Sequence, residues 1–114
     1  MGNLLSRKCV PGKEAKLLSP DQVQALLSQV PGWQVEEGRL VKVFRLRDHY
    51  QAVAFLNAVA WISHQQDHHP FVELGFNTLR VVYWTHAVAG LSENDFICAA
   101  KVDWLFQEGE PVNR

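Results

Sequence analysis

The chain has no run of basic residues, no disulfide framework, no glycine-rich phosphate loop and no apolar stretch long enough for a bilayer. Each absence removes a class of function. Lys and Arg number 11 against 12 Asp and Glu, leaving a net charge of −1, so nothing marks a nucleic-acid-binding surface. Two cysteines, Cys9 and Cys98, are too few to staple a fold, and Cys9 by itself offers one ligand where zinc wants four. Arg7 and Lys8 are not followed by an apolar core, so no secretory leader is expected. No run approaches the roughly 20 apolar residues of a membrane span. There is no Gly-x-Ser-x-Gly elbow for a nucleophile and no dinucleotide or P-loop fingerprint, which disfavours nucleotide cofactors. The expectation is a reduced, cytoplasmic protein.

What is present suits one soluble domain. The chain has 114 residues, 47% apolar and 20% charged, enough for a single hydrophobic core. Residues 1–17 mix Gly, Pro, Lys and Ser without a period and read as a flexible or loosely docked arm. The domain then spans 18–107, and 108–114 reads as a polar tail.

Ser19-Pro20-Asp21-Gln22 opens a helix: a serine cap, a proline at the first position and an acid at the positive end of the dipole. Val23, Leu26, Leu27 and Val30 make its apolar stripe, and Pro31-Gly32 ends it. Residues 33–36 and 40–44 read as a hairpin turning at Glu37-Gly38. Arg47-Asp48 opens a second helix, on which only Asn57 is polar between Ala52 and Ile62. That breadth predicts burial on most sides, with an oligomer interface taking the surplus. This helix should run to about Asp67, with Pro70 as the stop. Residues 71–76 and 79–85 read as a second hairpin turning at Asn77-Thr78. Ser92 caps a last helix carrying Ile97, Ala100, Lys101 and Trp104 at helical spacing. The order helix, hairpin, helix, hairpin, helix predicts an α+β fold, a four-stranded antiparallel sheet with three helices packed on one face.

The chemistry concentrates in His64-Gln65-Gln66-Asp67-His68-His69-Pro70, with His86 downstream. His64 and His68, four apart, would stack on one helix face. Histidine titrates near 6.5, so several together can serve as acid and base at cell pH. Three readings are open. These can be cap and surface histidines, favoured as cations at a helix C-terminus. They can hold zinc, with Asp67 or His86 as a third ligand, although Gln65 stands where a zinc hydrolase carries glutamate. Or they transfer protons without a metal, which is the leading reading.

The residues then resemble a known family, the pterin-4a-carbinolamine dehydratases, over roughly residues 18–105. Its pattern is a polar residue, three spacers, His-His-Pro, a short spacer, an aromatic, nine spacers and a histidine, with an aspartate further on. Here these are His64, His68-His69-Pro70, Phe76, His86 and Asp95. Pro31-Gly32-Trp33, Thr85-His86 and Gly90-Leu91-Ser92 resemble flanking segments of the family.

The resemblance implies the α+β fold above, a dimer or tetramer built through sheet and central helix, and no metal or organic cofactor. It implies loss of water from a 4a-hydroxytetrahydropterin to give a quinonoid dihydropterin, in tetrahydropterin recycling. It assigns acid and base to His68 and His86, without saying which is which, and ring-holding hydrogen bonds to His69. Asp67 would help orient the imidazoles, Trp33 would wall the pocket unless it is a core tryptophan, and His64, Pro70 and Thr85 would border the substrate. His64 stands where animal members carry glutamate, so it would hold the pterin's amide edge without a negative charge. Asp95 reads as structural. The family also has members that act by binding: transcription-factor dimerisation cofactors, and relatives linked to rubisco assembly or molybdopterin metabolism.

Overall fold

A computed structural model describes residues 3–109. Helices α1 (Pro20–Leu27), α2 (His49–Gln66) and α3 (Glu93–Gly109) pack on one face of a sheet of β1 (Gln34–Glu36), β2 (Arg39–Arg45), β3 (Phe71–Leu74) and β4 (Thr78–Tyr83). The strand order is β1-β2-β4-β3 and every pairing is antiparallel. The fold is the expected α+β layer.

Local chemistry explains the element ends. Ser19 caps α1 in a reciprocal capping box with Gln22. The helix stops at Leu27, three residues before Val30, whose side chain is nevertheless fully buried. Glu37 and Gly38 both take positive φ, 51° and 76°, the backbone of a type I′ hairpin turn. In β2, Leu40 and Phe44 face the helices and are buried, while Val43 on the other face is 47% exposed. Lys42 shares the covered face but sits where Asp103 Oδ1 (2.9 Å) and the Pro31 carbonyl (3.2 Å) receive its ammonium.

The core joins Leu40, Phe44, Leu79, Val81 and Tyr83 of the sheet to Phe55 and Val59 of α2 and Phe96, Ile97 and Val102 of α3. Truncating one of its large members, such as Phe44, costs about 3–5 kcal/mol. Both long helices leave apolar surface uncovered. Within one chain α2 buries a single side (Gln51, Ala52, Phe55, Val59, Ser63), leaving Tyr50 82% and Trp61 61% exposed. On α3 the buried face is Phe96–Ala99 and Val102; Ala100 and Lys101 are half-buried and Trp104 lies largely outside.

The N-terminal segment, read from composition as a loose arm, is docked. Leu4 is buried, the Leu5 carbonyl accepts from Lys101 Nζ at 2.7 Å, Arg7 pairs with Glu93, and Leu18 N–H donates to the Leu91 carbonyl. Gly90 leaves room for this segment: a Cβ there would meet Leu17 Cδ1 at 2.7 Å. The expected tail, 108–114, lies outside the described residues apart from the end of α3.

Candidate active site

Antiparallel pairing of β3 with β4, Phe71 opposite Val82, places the chain before β3 and the chain after β4 at the same end of the hairpin. The first is His68-His69-Pro70, the second Trp84-Thr85-His86. Sequence distance therefore collapses here, and α3 begins beside them.

α2 does not carry the histidines as a helical face. It ends at Gln66, and Asp67 adopts the left-handed conformation (φ 53°, ψ 42°). The Asp67 N–H returns to His64 O at 3.1 Å and the His68 N–H to Ser63 O at 3.0 Å, a Schellman closure. Only His64 remains on the last turn, where it is exposed. The expected stacking of His64 on His68 is thereby broken, because one left-handed residue redirects the chain.

His68 instead turns inward, with 11% of its side chain exposed. Its ring lies parallel to Tyr83, 5.8 Å between centroids and 9° between planes. Its Nε2 is 2.6 Å from Asp95 Oδ1. Asp95 is fully buried; its Oδ2 accepts from Thr85 Oγ1 and from the Ser92 N–H, both at 2.9 Å. An ionised carboxylate can only accept, so Nε2 donates in this bond and Nδ1 is the nitrogen left for other partners. The Thr85 hydroxyl spends its one proton on Asp95, so at 2.7 Å the Ser92 hydroxyl must donate to Thr85 while accepting from the Asn94 N–H. Ser92 thus caps α3 through the Asn94 N–H while Asp95 accepts from the Ser92 N–H, and the same carboxylate anchors the imidazole.

Around this pair, Tyr83 shares a 2.8 Å hydrogen bond with Ser63, and burial pushes its phenol well above the usual range. Cys98, buried nearby, has its thiol pushed far up by its hydrogen bond with Cys9 and by burial.

His86 opens a one-turn 3₁₀ helix (His86–Val88) held by the Thr85–Gly90 bridge. It is exposed and packs on Trp84 at 4.7 Å, while Arg39 stacks over the same indole at 4.3 Å. An opening of ≈ 330 Å³ is lined by His86, Trp84, Arg39 and the Glu37-Gly38 turn; His64, His68 and His69 are not among its walls. His69 is exposed and Pro70 half-buried just before β3.

Several residues fall elsewhere than expected. Trp33 is a core residue, 5% exposed, edge-on to Phe44 with its indole N–H donating to Asp103 Oδ1 at 2.9 Å. Thr85 is 2% exposed and supports Asp95 rather than facing solvent. Asp67 is exposed; the carboxylate that orients a histidine is Asp95. Phe76 sits at the turn end of the β3–β4 hairpin, stacked on His49 at 5.6 Å and 73% exposed. Sequence reasoning missed the His68–Asp95 pair; the available signal was Ser92-x-x-Asp95, whose acid had a second partner to find. Among the described residues no group of three or more His, Cys, Asp or Glu side chains is arranged to hold a metal ion.

Comparison with known proteins bears on this site. Residues 16–105 match the family described as pterin 4 alpha carbinolamine dehydratase. A protein of Nitrosomonas eutropha assigned to the pterin-4-alpha-carbinolamine dehydratases is 50% identical over 105 residues, covering 90% of this chain and 93% of its own. One from Dechloromonas aromatica is 47% identical over 106 residues, covering 92% and 95%. Among solved structures, a transcriptional coactivator/pterin dehydratase from Brucella melitensis aligns with a TM-score of 0.76 at 25% identity, over 79% of this chain and 98% of its own. A pterin dehydratase-like RuBisCO assembly factor of the alpha-carboxysome aligns at 0.53 and 30% identity, over 64% and 84%.

Proposed function

The chain belongs to the pterin 4 alpha carbinolamine dehydratase family, and from that premise we propose that it removes water from a 4a-hydroxytetrahydropterin to give a quinonoid dihydropterin. The C4a hydroxyl must leave as water and needs an acid; N5 must lose a proton and needs a base. His68 and His86 take these two roles. The observation that carries the reading is the 2.6 Å bond from His68 to the buried Asp95 carboxylate, which fixes ring orientation and commits Nε2. A histidine serving only as a cap or a surface residue has no need of a buried carboxylate with two further donors.

His86, exposed on Trp84, supplies the second imidazole, and exposed His69 and His64 supply hydrogen bonds to the ring. Thr85 and Trp33 act from behind, by holding Asp95 and filling the core, and Pro70 fixes the turn into β3. Acid–base chemistry of this kind calls for no metal or organic cofactor. The reaction belongs to tetrahydropterin recycling in the cytoplasm; separately, no helix among the described residues is long and apolar enough to cross a membrane.

A homodimer or homotetramer accompanies this reading. Tyr50 and Trp61 on the outer face of α2, and Phe71 (54%) and Leu74 (41%) on the edge strand β3, are exposed apolar surface that a second copy can cover. Binding tests the site directly. Titrating a stable dihydropterin into the chain should move the imidazole NMR signals of His68, His69 and His86. Saturating pterin that leaves all three unmoved would remove the proposed site. An assembly role of the kind carried by the carboxysome relative would then take its place.

A further inference from the structure

The docked arm brings the two thiols of the chain together. Cys9 Sγ lies 3.7 Å from Cys98 Sγ, although the residues are 89 apart in sequence. Both are free, and the acid–base chemistry above uses neither. The backbone around Cys9 is anchored on two sides. Its N–H donates to Gln66 Oε1 at 2.8 Å, and Val10 exchanges two hydrogen bonds with the Asn94 side chain, at 3.0 and 2.8 Å. Cys9 is therefore held with its sulfur against α3. To reach a bonded distance of about 2.0 Å the two sulfurs must approach by about 1.7 Å.

We propose that Cys9 and Cys98 form an oxidation site, at which a peroxide converts the thiol pair into an intramolecular disulfide that staples the N-terminal arm to α3. Cys9 reacts first because it is half-buried whereas Cys98 is fully buried. Its sulfur attacks one peroxide oxygen: an S–O bond forms, the O–O bond breaks, and the departing oxygen leaves as water with the thiol proton. Cys98 Sγ then attacks the Cys9 sulfur. The S–S bond forms, the S–O bond breaks, and a second water leaves with the Cys98 proton. Two thiols are oxidised by two electrons, and one peroxide is reduced to two waters.

The staple has a place to act. Cys98 Sγ also faces the His68 carbonyl at 4.0 Å, and Gln66 is the last residue of α2, so the linked arm fixes the segment that leads into His68. In a reducing compartment such a bond is reversible and belongs to redox sensing rather than to permanent structure. The inference stands on this geometry and not on the dehydratase reading.

The test uses the full chain, reduced, freed of reductant and exposed to hydrogen peroxide under native conditions. The expected product has lost two hydrogens in intact mass and gained no oxygen. Digestion without reductant yields one peptide pair joining Cys9 to Cys98, and a thiol reductant reverses it. Cys9→Ser should leave Cys98 unmodified, because nothing else brings oxidant to the buried sulfur. Cys98→Ser should give an oxygen adduct or an interchain link at Cys9. Wild-type chain that accumulates oxygen adducts or interchain dimers in place of the internal link overturns the proposal. So does oxidation of Cys98 in the Cys9→Ser chain at the wild-type rate.

Discussion

His68 Nε2 and Asp95 Oδ1 meet at 2.6 Å across 27 residues of sequence, joining the loop after α2 to the first turn of α3. The carboxylate is buried and takes two further donors, so the imidazole it holds has little freedom to rotate. Structure and proposed chemistry therefore share one residue. Asp95→Asn is expected to lower turnover by about 100-fold, within the usual contribution of a positioned acid–base group. The amide would also turn a donor toward one of three donors, so stability should fall by about 1–3 kcal/mol. Urea unfolding and dehydration rate, measured on the same preparation, check both; full activity in a destabilised chain would reduce Asp95 to a helix cap.

The two proposed acid–base histidines should separate in stability. His86→Ala removes an exposed ring and should leave the urea midpoint within about 0.5 kcal/mol of wild type. His68→Ala strips the buried carboxylate of one donor and should cost about 1–3 kcal/mol. Both should lose turnover. Equal unfolding midpoints for the two variants would contradict the placement of His68.

How far the sequence foretold this arrangement depends on the range of the interaction. Ser19-Pro20-Asp21-Gln22 and Glu37-Gly38 are local: their caps and turn follow from residues within four positions, and both stand where expected. The two hairpins were legible for the same reason, whereas the β2–β4 pairing that joins them, Leu40 opposite Tyr83, rests on contacts across the chain. The apolar breadth of α2 was visible too, but breadth alone does not say which side one chain covers. Less visible was anything resting on contacts across the chain. Leu4, Lys101 and Asn94 dock an arm whose composition suggests none of it. Asp67 breaks the helical spacing of His64 and His68 by taking a conformation that its identity permits without announcing. Trp33 gave equal grounds for pocket wall and core, and packing against Phe44 and Asp103 decided for core.

Asp67 offers a test in the stabilising direction. Its positive φ is strained for a side chain and natural for glycine. Asp67→Gly should raise stability by about 0.5–1 kcal/mol, read as a higher urea midpoint. Turnover should be retained, since Asp95 is the carboxylate facing His68. A stabilised but inactive variant would return the orienting role to Asp67.

Tyr83 sets an alkaline limit. Burial raises its folded-state pKa, so the neutral phenol is the form the fold accepts. Its contribution is fully present below the unfolded value of about 10 and is lost as pH rises from there toward the folded pKa. Tyr83→Phe should therefore show a shallower loss of stability in alkali. At neutral pH it should be less stable by about 1–2 kcal/mol, because Ser63 Oγ loses its buried partner. Unfolding curves across alkaline pH for both chains check the sign; parallel curves would contradict it.

Proton transfer by oriented histidines is decided by the rate at which metal-stripped protein dehydrates a 4a-hydroxytetrahydropterin. Wild type should exceed the spontaneous rate by a wide margin and be indifferent to chelator, with His86→Ala and Asp95→Asn each falling by about 100-fold. Turnover no faster than the spontaneous reaction, or variants that match wild type, would contradict it.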